Sequence, residues 1–436
     1  MQFYSTNNLS SSVSFKEAVF NSMPQDKGLY MPVTIPRLDD KFINNLSEYS
    51  LHEIAFHVAK SLLGDDIPDE DLKNIINDAI NFLAPIVKLE YNVFVLELWH
   101  GPSLAFKDFG ARFMSRVMAY FLEKGEKQLD VLVATSGDTG GAVALGFLGV
   151  PNTRVTILYP KGKVSDVQEL QLTTNGQNIR AVEVDGTFDD CQALVKQAFT
   201  DMDLNEKFRL TSANSINIAR LIPQTFYYFN AYAQLLKQGI DKVVFSVPSG
   251  NFGNIGAGLL AWKMGLPVAH FIAATNVNDT VPQYLQTGTY MPQPSVATLS
   301  NAMDVGDPSN WVRIADMFKG DMSALKDLVT GYSYDDDETM AAIKFIFDNY
   351  NYVACPHTAI GWQALRDWQH GNFKRDVAGV FLSTAHPCKF PDVYPESIFG
   401  KIDVPEQVRA LNKKQKHRAE LGKDFEGFKE YLLKNK

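Results

Sequence analysis

Apolar positions along this chain follow two periods, and the change from one to the other predicts the architecture. Between residues 47 and 85, SEYSLHEIAFHVAKSLLG and then PDEDLKNIINDAINF place apolar side chains three and four apart, the spacing of amphipathic helices. Beyond that stretch, short β-prone runs alternate with helix-length segments: VFVLEL (93–98), LDVLVAT (129–135), RVTILYP (154–160), IRAVEVD (179–185), DKVVFSVP (241–248), VAHFIAAT (268–275) and VAGVFLST (377–384). These runs are apolar on both faces, as strands are when helices cover both sides of a parallel sheet, so an α/β layered fold is expected. No internal repeat or low-complexity tract interrupts them, which sets aside solenoids and propellers. Open parallel sheets bind ligands beyond the carboxyl ends of their strands, so the loops after these runs are where chemistry is expected.

Length and charge narrow the partners. With 436 residues, the chain has room for two or three domains of roughly 150 residues. Forty-one Lys and Arg against 50 Asp and Glu leave a net charge of −9, which offers no footprint for nucleic acid or an anionic membrane. Any phosphate must therefore be gripped locally. Cys191, Cys355 and Cys388 lie far apart with no CxxC pair, which points to a reducing, cytoplasmic compartment. The first residues, MQFYSTNNLSSSVSFK, lack the basic and apolar regions of a leader. The uncharged run Val243 to Trp262 is broken by Ser246, Pro248, Ser249, Asn251 and several glycines, so it is not expected to span a bilayer. The basic residues Arg409, Lys413, Lys414, Lys416 and Arg418 read as a solvated surface helix with acidic neighbours.

Three loops could carry chemistry. In DKVVFSVPSGNFGNIGAGLLAW a strand runs into Gly250, Asn251, Phe252, Gly253, Asn254 and Gly256, then a helix. Glycines let backbone N–H groups converge, and a helix N-terminus adds its positive dipole end, so this loop reads as a phosphate cradle. Its spacing is neither G-x-G-x-x-G nor a Walker loop, so neither a dinucleotide nor ATP is indicated. In LDVLVATSGDTGGAVALGF, the run Thr135 to Gly141 places hydroxyls and bare N–H groups at a helix start, which suits a small carboxylate; Asp138 could accept from a hydroxyl or cap the helix. In LELWHGPSLAFKDFGARFM, Lys107 lies among Ala105, Phe106 and Phe109. It is either a snorkelling surface lysine or a desolvated amine suited to forming an imine with a carbonyl. Asp108 could simply neutralise it. No metal site is expected: His52 and His57 are five apart, where a helical zinc pair needs four. Cys355 and His357 of CPHTAIG read as packing residues.

An imine-forming lysine, a glycine phosphate cradle and a hydroxyl-rich carboxylate loop are together the parts of a pyridoxal-phosphate enzyme. The chain resembles the threonine synthase family of fold type II pyridoxal-phosphate enzymes almost end to end. The resemblance is carried by FKEAVFNSMPQDKGLYMP, HGPSLAFKDFGARF, ATSGDTGGAV, NSINIARLIPQTFYYF (214–229), VPSGNFGNIGAG, CPHTA and STAHPCKFPD (383–392). It implies two open, mainly parallel α/β sheets facing a cleft, with a helical N-terminal part. The expected division is a helical part at 1–92, a large cofactor-binding part at 93–112 and 226–436, and a smaller inserted part at 113–225 that carries the carboxylate loop.

By the same resemblance Lys107 holds pyridoxal 5′-phosphate through an imine and later shuttles protons. Gly250, Asn251, Phe252, Gly253 and Asn254 bind the cofactor phosphate, and Thr384, rather than Ser383, faces the pyridine nitrogen. Asp138 stands where relatives often carry Asn against the cofactor's 3′-oxygen, and a carboxylate facing a phenolate needs a shared proton. Ser136, Gly137 and Thr139 take the substrate carboxylate. Asn214, Asn217, Arg220 and Lys163 lie near the substrate phosphate, with Arg220 either gripping it by a guanidinium fork or serving a structural ion pair. The implied reaction converts O-phosphohomoserine and water to threonine and phosphate, with no nucleic acid or membrane partner, in a monomer or a homodimer. A related serine/threonine dehydratase and a non-catalytic protein of the same fold are the alternatives. The STAHP segment argues against the first and the intact Lys107 against the second.

Overall fold

The computed structural model describes residues 1–122, 128–372 and 376–436. Each of the seven apolar runs forms a strand, and seven further short strands complete three sheets among the described residues. Strands β1 (Gln2–Ser5), β2 (Asn8–Ser14) and β3 (Tyr30–Pro32) form an antiparallel sheet in the order β2-β1-β3. The larger sheet contains β4 (Ile86–Glu90), β5 (Val93–Glu97), β10 (Val243–Pro248), β11 (Val268–Thr275), β12 (Val329–Ser333) and β13 (Ala378–Ser383). Its order is β12-β11-β10-β13-β5-β4, parallel except where β4 pairs antiparallel with β5. The other sheet contains β6 (Leu129–Ala134), β7 (Thr153–Pro160), β8 (Ile179–Val184), β9 (Arg209–Ser212) and β14 (Ala419–Leu421). Its order is β14-β8-β7-β6-β9, parallel throughout.

Central strands β6, β7, β10 and β13 are buried at every residue, which explains their unbroken apolar sequence: helices cover both faces and no position is left for water. Helices Leu51–Leu63 and Asp69–Ala79 match the expected N-terminal amphipathic segments. The first opens with a capping box between Ser50 and Glu53 and buries Ile54, Ala55, Val58, Ala59, Leu62 and Leu63 on one stripe. None of the helices among the described residues is long and apolar enough to cross a membrane.

Two details differ from the expected division. Helix Lys107–Phe121 runs without a break through the 112/113 boundary, and the last strand, β14, pairs with β8 rather than with the large sheet. Helix Phe425–Lys434 follows β14 and buries Phe428 and Leu432 against Val182, Val184 and Leu194. The chain's end thus belongs with the layer of the inserted part. Only the first part of the basic stretch is helical: Arg409 ends helix Glu406–Arg409 and Lys413 the 3₁₀ turn that follows, whereas Lys416 and Arg418 lie beyond and reach Glu169 at 2.5 and 2.6 Å, and Arg418 also pairs with Glu183 and Glu420. These charges fasten the returning strand to its neighbours.

Candidate active site

Four loops meet at the carboxyl ends of β5, β6, β10 and β13 and line a cavity that opens to solvent. The loop after β5 is zipped to the loop after β13. Phe106 N–H donates to the Thr384 carbonyl at 2.9 Å, His386 N–H donates to the Leu104 carbonyl at 3.0 Å, and Ala105 bridges Ala385. This zip fixes Lys107, the first residue of its helix, beside Thr384 on the cavity wall. Ser383 is turned away. Its hydroxyl is occupied by Trp99 Nε1 at 3.1 Å, Thr358 Oγ1 at 3.1 Å and Tyr352 OH at 3.3 Å, so Thr384 is the hydroxyl left facing the cavity.

Lys107 lies deep in the protein and reaches only the cavity. Burial pushes its amine down to about 8, with the Arg220 and Lys389 charges acting in the same direction and Asp138 opposing them. Asp108 does not pair with it. That carboxylate accepts the Ser103 N–H at 2.9 Å, closing the preceding loop, and burial raises it to about 6. The lysine is therefore a desolvated amine, not a snorkelling one.

In the second loop, capping falls to Thr135, whose Oγ1 accepts the N–H of Gly137 at 2.9 Å and of Gly140 at 2.8 Å. Asp138 and Thr139 are thereby released from that duty and line the cavity with Ser136. Gly137 differs from expectation: its N–H is spent on Thr135, and its φ of 133° with the Gln168 amide packed where a Cβ would stand explains the glycine. Asp138 is ion-paired to Lys389 at 2.7 Å and takes the Gln168 amide at 2.9 Å. Burial alone would raise its carboxyl, but the Lys389 and Lys107 charges outweigh burial and hold it well below the usual carboxylate range.

The third loop keeps its donors free. No hydrogen bond among the described residues takes up the backbone N–H groups of Gly250 to Asn254, and Phe252 adopts the left-handed conformation (φ 58°) that turns the chain into helix Gly253–Lys263. Asn251 is anchored from behind by Ser309 N–H at 2.7 Å and Asn310 Nδ2 at 3.1 Å. Tyr227 and Tyr228 hydroxyls lie 2.7 and 2.8 Å from Asn254 Oδ1, leaving its Nδ2 buried without a partner. Free N–H groups, an orphaned amide and a helix N-terminus fit a phosphate monoester, and a desolvated lysine fits an aldehyde, so these residues suit pyridoxal 5′-phosphate. At Gly250 a Cβ would stand 2.7 Å from both the Ala302 carbonyl and Met303 Cα, neither of which can swing away. Gly250→Ala is expected to weaken cofactor affinity about 10- to 100-fold while the chain stays folded, measured by cofactor titration.

Residues expected near the substrate phosphate divide. Arg220 lines the cavity, forms no ion pair among the described residues and leaves Nε buried without a partner, while Nη1 donates to the Ala213 carbonyl at 2.5 Å. Burial lowers it to about 10, so it stays charged. Asn214 also lines the cavity, but both ends of its amide are used on Ala134. Asn217 does not reach it: fully buried, it caps helix Ile218–Leu221 and donates to the Val19 and Ser212 carbonyls. Lys163 is exposed on the turn after β7 and is not part of the wall. Two residues were missed. Lys389 carries the ion pair to Asp138, and His357 lines the wall, accepts the Ala302 N–H at 3.2 Å and is lowered to about 4 by burial. The CPHTA motif marked His357, but its packing reading overlooked that the first turn of helix Pro356–Asn372 aims the ring at the cavity.

This cavity, on a doubly layered parallel fold, is that of an enzyme class that holds its cofactor by a lysine and a phosphate cradle. Family models agree: residues 80–384 match the pyridoxal-phosphate dependent enzymes, residues 2–80 the threonine synthase N terminus and residues 358–432 the threonine synthase C-terminal part. The chain is 45% identical to threonine synthase of Haemophilus influenzae, covering 100% of both chains. It superposes on the crystal structure of threonine synthase from Escherichia coli with a TM-score of 0.93 at 42% identity and 100% coverage of each. A PLP-bound threonine synthase from Brucella melitensis matches with a TM-score of 0.90 at 33% identity, over 99% of this chain and 98% of that one. The chain belongs to the threonine synthase family.

Proposed function

We propose that this chain converts O-phospho-L-homoserine and water to L-threonine and inorganic phosphate, in the cavity around Lys107. The observation that carries the reading is the pairing of a desolvated lysine with two separate sets of unspent phosphate donors in one cavity: the loop 250–254 with Asn254 Nδ2, and Arg220 Nε. One set serves the cofactor, and the other a substrate that carries its own phosphate. A dehydratase substrate has no phosphate and gives Arg220 nothing to hold. When bound, pyridoxal phosphate supplies an electron sink for the carbon next to the substrate amine.

The residues divide the remaining work. Lys107 carries protons, since its lowered pKa of about 8 lets it give and take them near neutrality. Ser136 and Thr139 orient the substrate carboxylate at the start of helix Asp138–Phe147, whose dipole favours an anion there. Arg220 grips the substrate phosphate as a forked cation, lying against the bare backbone of Gly110 one turn beyond Lys107. The inserted part, 113–225, closes its loop over the substrate and excludes water until elimination is complete. The free, buried cysteines fit a cytoplasmic setting.

Thr384 offers a neutral hydroxyl toward the cofactor ring. Thr384→Asp places a charge there that keeps the ring nitrogen protonated and withdraws electrons from the substrate carbon that must expel phosphate. Turnover is expected to fall by roughly tenfold or more, with side products rising, as read by product analysis. An unchanged rate and product ratio would remove Thr384 from this role. The reading as a whole is tested by incubating the purified holoenzyme with O-phosphohomoserine. Equal yields of threonine and phosphate are expected; homoserine would mean ester hydrolysis, and a keto acid with ammonia would mean a dehydratase.

A further inference from the structure

Lys389 has no exposed surface, does not line the cavity, and is held at both ends. Its carbonyl accepts Ser165 Oγ at 2.6 Å, and its Nζ donates to the Ser103 carbonyl at 2.9 Å and to Asp138 at 2.7 Å. Ser103 belongs to the loop that leads into Lys107, Asp138 to the first turn of the helix after β6, and Lys389 to the short 3₁₀ turn Pro387–Lys389 after β13. The ammonium thus joins three separate segments at one carboxylate. A buried charge without a partner is costly, and Asp138 and Lys389 each remove that cost for the other. We propose that Lys389 is a positioning residue, the fixed counter-charge of Asp138, and that by forming a charge-neutral unit with it Lys389 keeps the Asp138 charge from raising the proton affinity of Lys107.

The inference rests on the reading of Lys107 as the imine-forming amine. The charged and titratable groups around this unit are Lys107, His357 and Cys355 toward Asp138, and His386, Cys388 and, behind Ser103, Asp108 toward Lys389, with Arg220 acting on Lys107. Asp138 pulls the Lys107 amine up and Lys389 pushes it down, so the two influences oppose each other. Removing the cation should favour protonated Lys107, and removing the anion should favour the free amine. Removing both should restore the balance. A general contribution to folding would not produce shifts of opposite sign.

The test uses the full chain stripped of cofactor. Uptake of pyridoxal 5′-phosphate is followed by imine absorbance near ~410–420 nm from acid to alkaline pH, and the midpoint of its rate reports the Lys107 amine. Relative to the unaltered chain, Lys389→Met should raise the midpoint by about one pH unit or more and Asp138→Asn should lower it by a similar amount. The double variant should return to within a few tenths of the original. Shifts of the same sign, or none, overturn the proposal. If either single variant fails to fold, a double variant that folds with a near-original midpoint supports it. A double variant that melts no higher than the less stable single overturns it. Failure of the underlying reading is separate: Lys107→Ala would then take up cofactor with the same absorbance band.

Discussion

Lys107→Ala is expected to lose the imine absorbance and to reduce threonine formation by roughly 10³-fold or more. Lys107 is the only lysine on the cavity wall among the described residues, and the other basic groups there are unsuited to replace it. His357 is held neutral, with Nε2 already accepting the Ala302 N–H, and Arg220 stays charged and cannot act as a base near neutrality. The variant should still fold. Deleting a buried amine lowered to about 8 removes a desolvation cost, and Asp138 keeps Lys389 as its partner. A melting temperature within a few degrees of the original, with the absorbance gone, separates loss of chemistry from loss of structure. Turnover and absorbance both unchanged would show that another group carries the cofactor.

The central strands were legible because each is shielded by helices on both faces, and that demand wrote an unbroken apolar run into the chain. Short strands were not. RLTS of β9 and AEL of β14 are polar or half-buried, and QFYS of β1, though buried from Phe3 to Ser5, is too short to show a period; they become strands only because a neighbour presents free backbone groups to them. The three glycine and hydroxyl loops could be read because a backbone that must approach a ligand needs special residues locally. Side-chain direction could not. Asn217 and Asn214 belong to one segment, yet one caps a buried helix and the other faces the cavity, a difference fixed by partners such as Val19 far away in sequence. Lys389 escaped notice for the same reason: its carboxylate partner opens a helix that follows a strand of the other sheet, and nothing in CKFPD announces a buried cation.

These same placements restrict what the cavity can do with a substrate, and isotopes read the outcome directly. Phosphate leaves from Cγ, which requires removal of a proton from Cβ, and that in turn requires prior loss of the α-proton. After departure Cγ must gain a proton to become a methyl group, water must add at Cβ, and Cα must be reprotonated. Each proton has to be delivered from one side of a cavity whose wall offers one free amine, Lys107, beside the hydroxyls of Ser136, Thr139 and Thr384. In deuterated water, the threonine formed is therefore expected to carry deuterium at both Cα and the methyl group, and oxygen-18 water should label the hydroxyl while the released phosphate stays unlabelled. Attack of water at phosphorus would reverse the oxygen result, because the label would then appear in phosphate and the organic product would be homoserine. Threonine with an unlabelled methyl group would exclude proton delivery to Cγ and with it the elimination route, even if threonine and phosphate were formed in equal amounts. Mass spectrometry resolves the number of deuterons and proton NMR their positions, so a single incubation distinguishes these courses.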